Sequence, residues 1–117
     1  TLDLAIELNG EWANFYCAMA YPGSELYRNA KRESITLPED AENIGWICYS
    51  QHSYKTFPLP TKTLSSAEVL QFRDEAFNKY FTGERYLKMM HAKFGEKVEN
   101  HIKEMTKIKL KRKLLGD

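Results

Sequence analysis

Cysteine is scarce in this chain. Cys17 and Cys48 stand 31 positions apart, so neither a disulfide framework nor a Cys-x-x-Cys site can be built from them, and reduced thiols are the expectation. Histidine is equally thin. His52, His91 and His101 lack the spacing of roughly two to five residues with which zinc sites pair their ligands, so no metal ligand is assigned. No apolar run approaches the roughly 20 residues that span a bilayer, and the N-terminus lacks the basic-then-apolar order of a signal peptide. A cytoplasmic parent without a membrane partner is expected. The Gly-x-x-x-x-Gly-Lys-Ser/Thr, Gly-x-Gly-x-x-Gly, His-Glu-x-x-His and Gly-x-Ser-x-Gly patterns are all missing, and no residue is assigned a catalytic role.

What is present suffices for a core, since 43% of the 117 residues are hydrophobic and 13% aromatic. The net charge of +1 conceals a split. Residues 1–50 carry eight acids and three bases, whereas residues 51–117 carry eight acids and fourteen bases, so the two halves face different neighbours.

The pattern predicts an α+β fold, mainly helical, in three parts. Residues 1–33 read as helix, strand and helix. Leu2 to Leu8 ends a helix, with Gly10 suited to its left-handed stop. Trp12 to Ala20 is an apolar stretch, Asn14 aside, too continuous for a two-faced antiparallel strand, and reads as a strand buried on both faces as in a parallel sheet. Pro22-Gly23 ends it, and Ser24 caps a helix over Glu25 to Glu33. Residues 34–63 form a connector holding Pro38, Pro58 and Pro60, with Asn43 and Gly45 as further turn residues. Its aromatic content points to an ordered covering segment with a short strand at Trp46 to Tyr49. Residues 64–117 form a helical bundle. Ser65-Ser66-Ala67-Glu68 is a capping box, apolar positions recur from Val69 to Phe81, and Tyr86, Leu87 and Met90 point inward from a second helix. A third helix carries Val98, Ile102, Met105 and Ile108 on one stripe and is crowded with bases at Lys103, Lys107, Lys109, Lys111, Arg112 and Lys113.

One polar cluster interrupts the connector: Tyr49-Ser50-Gln51-His52-Ser53-Tyr54. Either the loop is tied down by its own side chains, or Gln51 and His52 sit on the substrate side of a site as an orienting amide and a titratable ring.

Tyr21-Pro22-Gly23-Ser24-Glu25-Leu26-Tyr27, Tyr49-Ser50-Gln51-His52-Ser53-Tyr54, Pro58-Leu59-Pro60-Thr61, Phe72-Arg73-Asp74-Glu75-Ala76-Phe77, Tyr80-Phe81, Lys93-Phe94-Gly95 and Leu110-Lys111-Arg112-Lys113-Leu114-Leu115 follow one another in an order that resembles the C-terminal end of radical S-adenosylmethionine (SAM) enzymes. The branch it resembles most is the cobalamin-binding one, similar to anaerobic magnesium-protoporphyrin IX monomethyl ester cyclases and often labelled iron–sulfur (Fe-S) oxidoreductases. The likeness runs over nearly the whole chain. It implies a partial (β/α)6 barrel in which a Cys-x3-Cys-x2-Cys loop holds a [4Fe–4S] cluster that cleaves S-adenosylmethionine to a 5′-deoxyadenosyl radical.

By that resemblance Trp12 to Ala20 is the last barrel strand, Met19, Ala20 and Tyr21 are cofactor contacts, and the cluster loop and any cobalamin domain lie upstream. The opening on Thr1, with no further sheet in the chain, fits a piece of a larger enzyme whose partner is the remainder of its own parent. The piece itself is expected to hold no cofactor. The exposed strand edge is expected to hide against the chain's own helices or to pair with a second copy as a homodimer. Two other classes compete with this reading. One is a free-standing helical interaction module with a basic last helix, although that helix lacks the aromatics that single-stranded nucleic acid requires. The other is a small-ligand module built on the polar cluster.

Overall fold

Leu2–Leu8 coils into α1, and Asn9 ends it at φ 50, ψ 48. Asparagine is one of the few residues that enters this left-handed region at low cost, so the helix stops one residue before Gly10, where the stop was expected. The computed structural model describes residues 1–42 and 45–117. Asn43, counted above among the connector's turn residues, lies outside the described residues.

Among the described residues there are six α-helices and no strand, so the chain is mainly helical and the partial barrel finds no support. Trp12 to Ala20 corrects the expectation of a strand buried on both faces. From Trp12 to Met19 its burial alternates instead, and Ala20 is buried next to Met19. Ala13 and Phe15 are partly buried and Cys17 and Met19 buried, while Trp12, Asn14, Tyr16 and Ala18 are exposed. That is the period of an extended chain with one covered face. A parallel strand is covered on both faces only when helices flank a complete sheet, and no second strand occurs among the described residues.

Pro22-Gly23 then turns the chain, with Gly23 at φ +90, into α2 at Glu25–Arg32, whose first turn is capped by Ser24 Oγ accepting from Tyr27 N at 3.1 Å. The short α3 at Pro38–Glu42 follows. The expected strand at Trp46 to Tyr49 is a 3-10 helix at Gly45–Tyr49. The reason is visible in its burial: Trp46 and Ile47 are exposed while the adjacent Cys48 and Tyr49 are buried, and a strand cannot send neighbouring side chains to one side.

The capping box before α4, Ser66–Phe81, forms in both directions. Ser65 N donates to Glu68 Oε2 at 2.8 Å, and Glu68 N donates to Ser65 Oγ at 3.2 Å. The helices α5 at Glu84–Phe94 and α6 at Glu96–Lys107 follow. Ile108 leaves the α6 stripe: it has extended φ −80, ψ 107 and is exposed.

Two compact units result. One comprises residues 1–15 and 74–109, with Tyr80, Phe81, Tyr86, Met90 and Ile102 as its core. Its buried phenols are satisfied on the chain after α1. Tyr80 donates to Gly10 O at 2.6 Å and Tyr86 to Glu11 O at 2.9 Å. The other comprises residues 16–73 and 110–117. It buries Cys17, Met19, Tyr49 and Leu70 in one cluster and Ala20, Ala30 and Leu37 in another.

Candidate functional site

The polar cluster and the chain's last residues meet in the second unit. Thr56 is buried and closes the 50–56 loop on itself: its hydroxyl donates to Ser50 O, and a bond to Ser53 O measures 2.8 Å. Arg112 enters this ring from the C-terminal tail and is completely buried. Its Nη1 donates to Gln51 O and Ser53 O, each at 3.0 Å, and reaches Thr56 Oγ1 at 3.3 Å. A guanidinium keeps its charge at any physiological pH and needs acceptors in a fixed plane. The carbonyls of a tight loop provide them.

The tail is held in return. Lys113 N donates to Tyr54 O at 2.9 Å, Tyr54 Oη to Asp117 O at 2.8 Å, and Arg112 N to Asp117 Oδ2 at 2.8 Å. The run Lys109 to Lys113 is therefore not the end of a basic helix, as expected, because α6 ends at Lys107. Arg112 is buried, and Leu114 and Leu115 pack against the Cys17–Met19 core.

Gln51 points its amide at the extended segment. Cys17 N donates to Gln51 Oε1 and Gln51 Nε2 donates to Cys17 O, both at 2.9 Å. This pair of bonds is what a neighbouring strand would offer one residue. Ala18 O is taken by Leu59 N at 3.0 Å. Of the two readings left open for the cluster, the tied-down loop describes Gln51, Ser53 and Thr56. His52 stands apart, exposed, with its ring edge-on to Tyr16 at 6.4 Å between centroids.

Met19, Ala20 and Tyr21 occupy the turn that follows. The Met19 and Ala20 side chains are buried in the two clusters, Met19 O accepts from Tyr21 N at 3.0 Å, and Tyr21 O accepts from Ser24 N at 3.1 Å. Tyr21 is the member of the three that presents a surface. It is about half exposed (49%), and its ring stacks on Tyr49 at 5.6 Å. Tyr49 donates to Glu39 Oε2 at 2.6 Å, and Tyr27 donates to Oε1 of the same carboxylate. Burial, followed by the bond to Glu39, raises the Tyr49 phenol well above its ordinary value. Burial of Glu39 pushes its carboxyl up, but the Tyr27 and Tyr49 bonds outweigh it and leave the group below 4.5.

Sequence reasoning missed Arg112, Thr56 and the Tyr27–Glu39–Tyr49 set. The signal for Arg112 was its flanks, because Leu110, Leu114 and Leu115 bracket the basic run with apolar residues. In the first unit His91 is exposed, and its Nδ1 lies 2.6 Å from Glu99 Oε2 across the α5–α6 joint. Among the described residues no three His, Cys, Asp or Glu side chains are grouped to hold a metal ion, and no helix is long and apolar enough to cross a membrane. Compared with known protein families, with curated proteins and with solved structures, the chain matches none.

Proposed function

We propose that this chain is the C-terminal region of a cytoplasmic radical S-adenosylmethionine enzyme of the cobalamin-binding type. In this role it builds the turn beside the cofactor and covers the active site. The observation that carries the reading is the junction at Trp12–Ser24. An extended segment with one covered face runs through Met19, Ala20 and Tyr21 into an N-capped helix, which is where α/β enzymes keep ligand contacts, and it does so within the motif order that resembles this family. The exposure of Trp12 and Tyr16, at 58% and 61%, supports it too. Aromatic side chains of that size are normally covered, and the remainder of the parent chain or a second copy would cover them.

The residues present do not fit an iron–sulfur cluster. Cys17 and Cys48 are two buried thiols where the family uses three cysteines on one loop, so cluster and radical chemistry belong to residues outside this chain. At Met19, Ala20 and Tyr21 the fit to S-adenosylmethionine is confined to the Tyr21 ring and the rim of the turn, because the two smaller side chains face the cores. His52, exposed on the loop that Arg112 braces, is the substrate-side candidate. A radical requires exclusion of water and stray hydrogen donors, and within the covering connector, residues 46–57 would do that work.

The test is made on the longer protein. Under anaerobic conditions with a strong reductant it should release 5′-deoxyadenosine from S-adenosylmethionine. His52→Ala should raise the ratio of 5′-deoxyadenosine to product while leaving the melting temperature within about 2 °C, as a surface substitution does. Absence of 5′-deoxyadenosine from the wild-type protein would overturn the reading. An unchanged ratio would remove His52 from the site.

A further inference from the structure

We propose that Arg112 and Gln51 are positioning residues acting in series, through which the C-terminal tail fixes the register of Cys17 and thereby the Met19–Tyr21 turn. This rests on the proposed function for what the turn does, but on bonds within the second unit for how it is held.

The series runs in one direction. Leu114 and Leu115 seat the tail on the core that contains Cys17 and Met19, and Asp117 closes it with Oδ2 on Arg112 N at 2.8 Å. Arg112 Nη1 then holds Gln51 by its carbonyl at 3.0 Å, and the Gln51 amide holds Cys17 by both backbone groups at 2.9 Å. Met19 follows two residues later, its side chain on the same covered face.

A buried guanidinium is a poor choice where stability alone is at stake, because desolvating it offsets most of what its bonds return, and apolar replacements of such groups are often neutral or better. Its fork is suited to fixing several carbonyls in one arrangement. Register is what an extended segment without a strand partner otherwise lacks. A slip of one residue would turn Met19 outward, bring Ala18 and Ala20 to the other side, and lift Tyr21 from Tyr49. Gln51 spends both amide atoms on a single residue's backbone, which distinguishes Cys17 from Tyr16 and Ala18.

The experiment compares Arg112→Met, Arg112→Lys, Gln51→Leu and the exposed control Lys111→Met. Amide exchange is followed residue by residue in this chain. In the longer protein KM for S-adenosylmethionine is measured beside kcat. Gln51→Leu and Arg112→Met should speed exchange at Cys17 by about tenfold relative to Leu70 of the same core, the effect of losing one net hydrogen bond. Arg112→Lys should recover part of the protection, and Lys111→Met should change nothing. In the longer protein KM should rise by about tenfold with kcat within about twofold, by the same estimate.

If Cys17 and Leu70 lose protection together in Gln51→Leu, the pair is a structural anchor only and the proposal fails. It fails equally if Cys17 exchange responds but KM does not. Should Arg112→Met not fold, Gln51→Leu and Arg112→Lys still decide. A wild-type protein that forms no 5′-deoxyadenosine refutes the enzyme reading and the cofactor-directed half of the proposal, while Cys17 exchange separately decides whether the series holds register.

Discussion

Glu39 accepts from two phenols at once, and that makes one carboxylate answer to both ends of the pH scale. Its folded value is depressed below 4.5, so its contribution is present above that value and lost as pH falls through the lower folded one. Tyr49 is raised above 10.0 by burial and by Glu39. Its contribution is complete below pH 10 and lost as pH climbs through the folded value. Tyr86, pushed up to about 12 by burial first and by Tyr80 and Glu11 after it, behaves in the same direction. Glu39→Gln should cost about 1–2 kcal/mol at neutral pH, because one phenol keeps an acceptor and the other loses a charged one. Denaturant unfolding should show the gap between variant and wild type shrinking in acid, where Glu39 is itself neutral. Phenolate absorbance should show Tyr49 ionising at lower pH in the variant. An unchanged Tyr49 titration would mean that burial alone sets it. None of this was legible in the sequence: Glu39 meets Tyr49 and Tyr27 from ten and twelve positions away, across turns whose geometry no local pattern encodes. Ser24 and the Ser65–Glu68 box were legible because their partners lie three residues on.

Gly95 separates α5 from α6 at φ +85, ψ 176, a region reserved almost entirely for glycine. A Cβ there would meet nothing within 4 Å, so Gly95→Ala should be destabilising through backbone strain alone, by about 1–3 kcal/mol. Thermal melts should fall accordingly, and Gly95→Asn should fall by about as much, since asparagine's tolerance of positive φ belongs to the left-handed helical region and does not extend to ψ 176. Equal melting of Gly95→Ala and wild type would show that the joint relaxes. The helices around this joint were legible because 3.6-residue periodicity is a local property, and Tyr86, Leu87 and Met90 point inward as their spacing requires. The segments that misled are those whose state depends on distant partners. Trp12 to Ala20 has the composition of a sheet strand and is extended, yet its backbone is met by the Gln51 amide and Leu59 rather than by strands. The last basic run has the composition of a solvated helix end, yet Arg112 is buried because the 50–56 loop offers it carbonyls.

Each of the two units is assembled from separate stretches of chain, and the second takes in both thiols and the tail. Cys17 contacts Val69 O with Sγ at 4.0 Å, and both cysteines are at most 7% exposed. A thiol so deeply buried is shielded from reagents, whereas a cluster ligand must be an accessible thiolate. Releasing Cys17 would mean opening the core that holds Met19, Tyr49 and Leu70, at a cost comparable to unfolding that unit. The chain alone should therefore take up no stoichiometric iron on anaerobic reconstitution with iron and sulfide. It should also release no 5′-deoxyadenosine from S-adenosylmethionine with reductant present. Iron and acid-labile sulfide are measured after desalting, beside a thiol titration of the untreated chain, in which Cys17 and Cys48 should react fully only after denaturant is added. A chain that binds about four irons with native thiol protection retained would place a cluster on other ligands of its own and overturn the proposal that the cluster belongs elsewhere. A chain that binds iron only after its thiols become reactive would have unfolded to do so, and the assignment of the cluster to residues outside these 117 would stand.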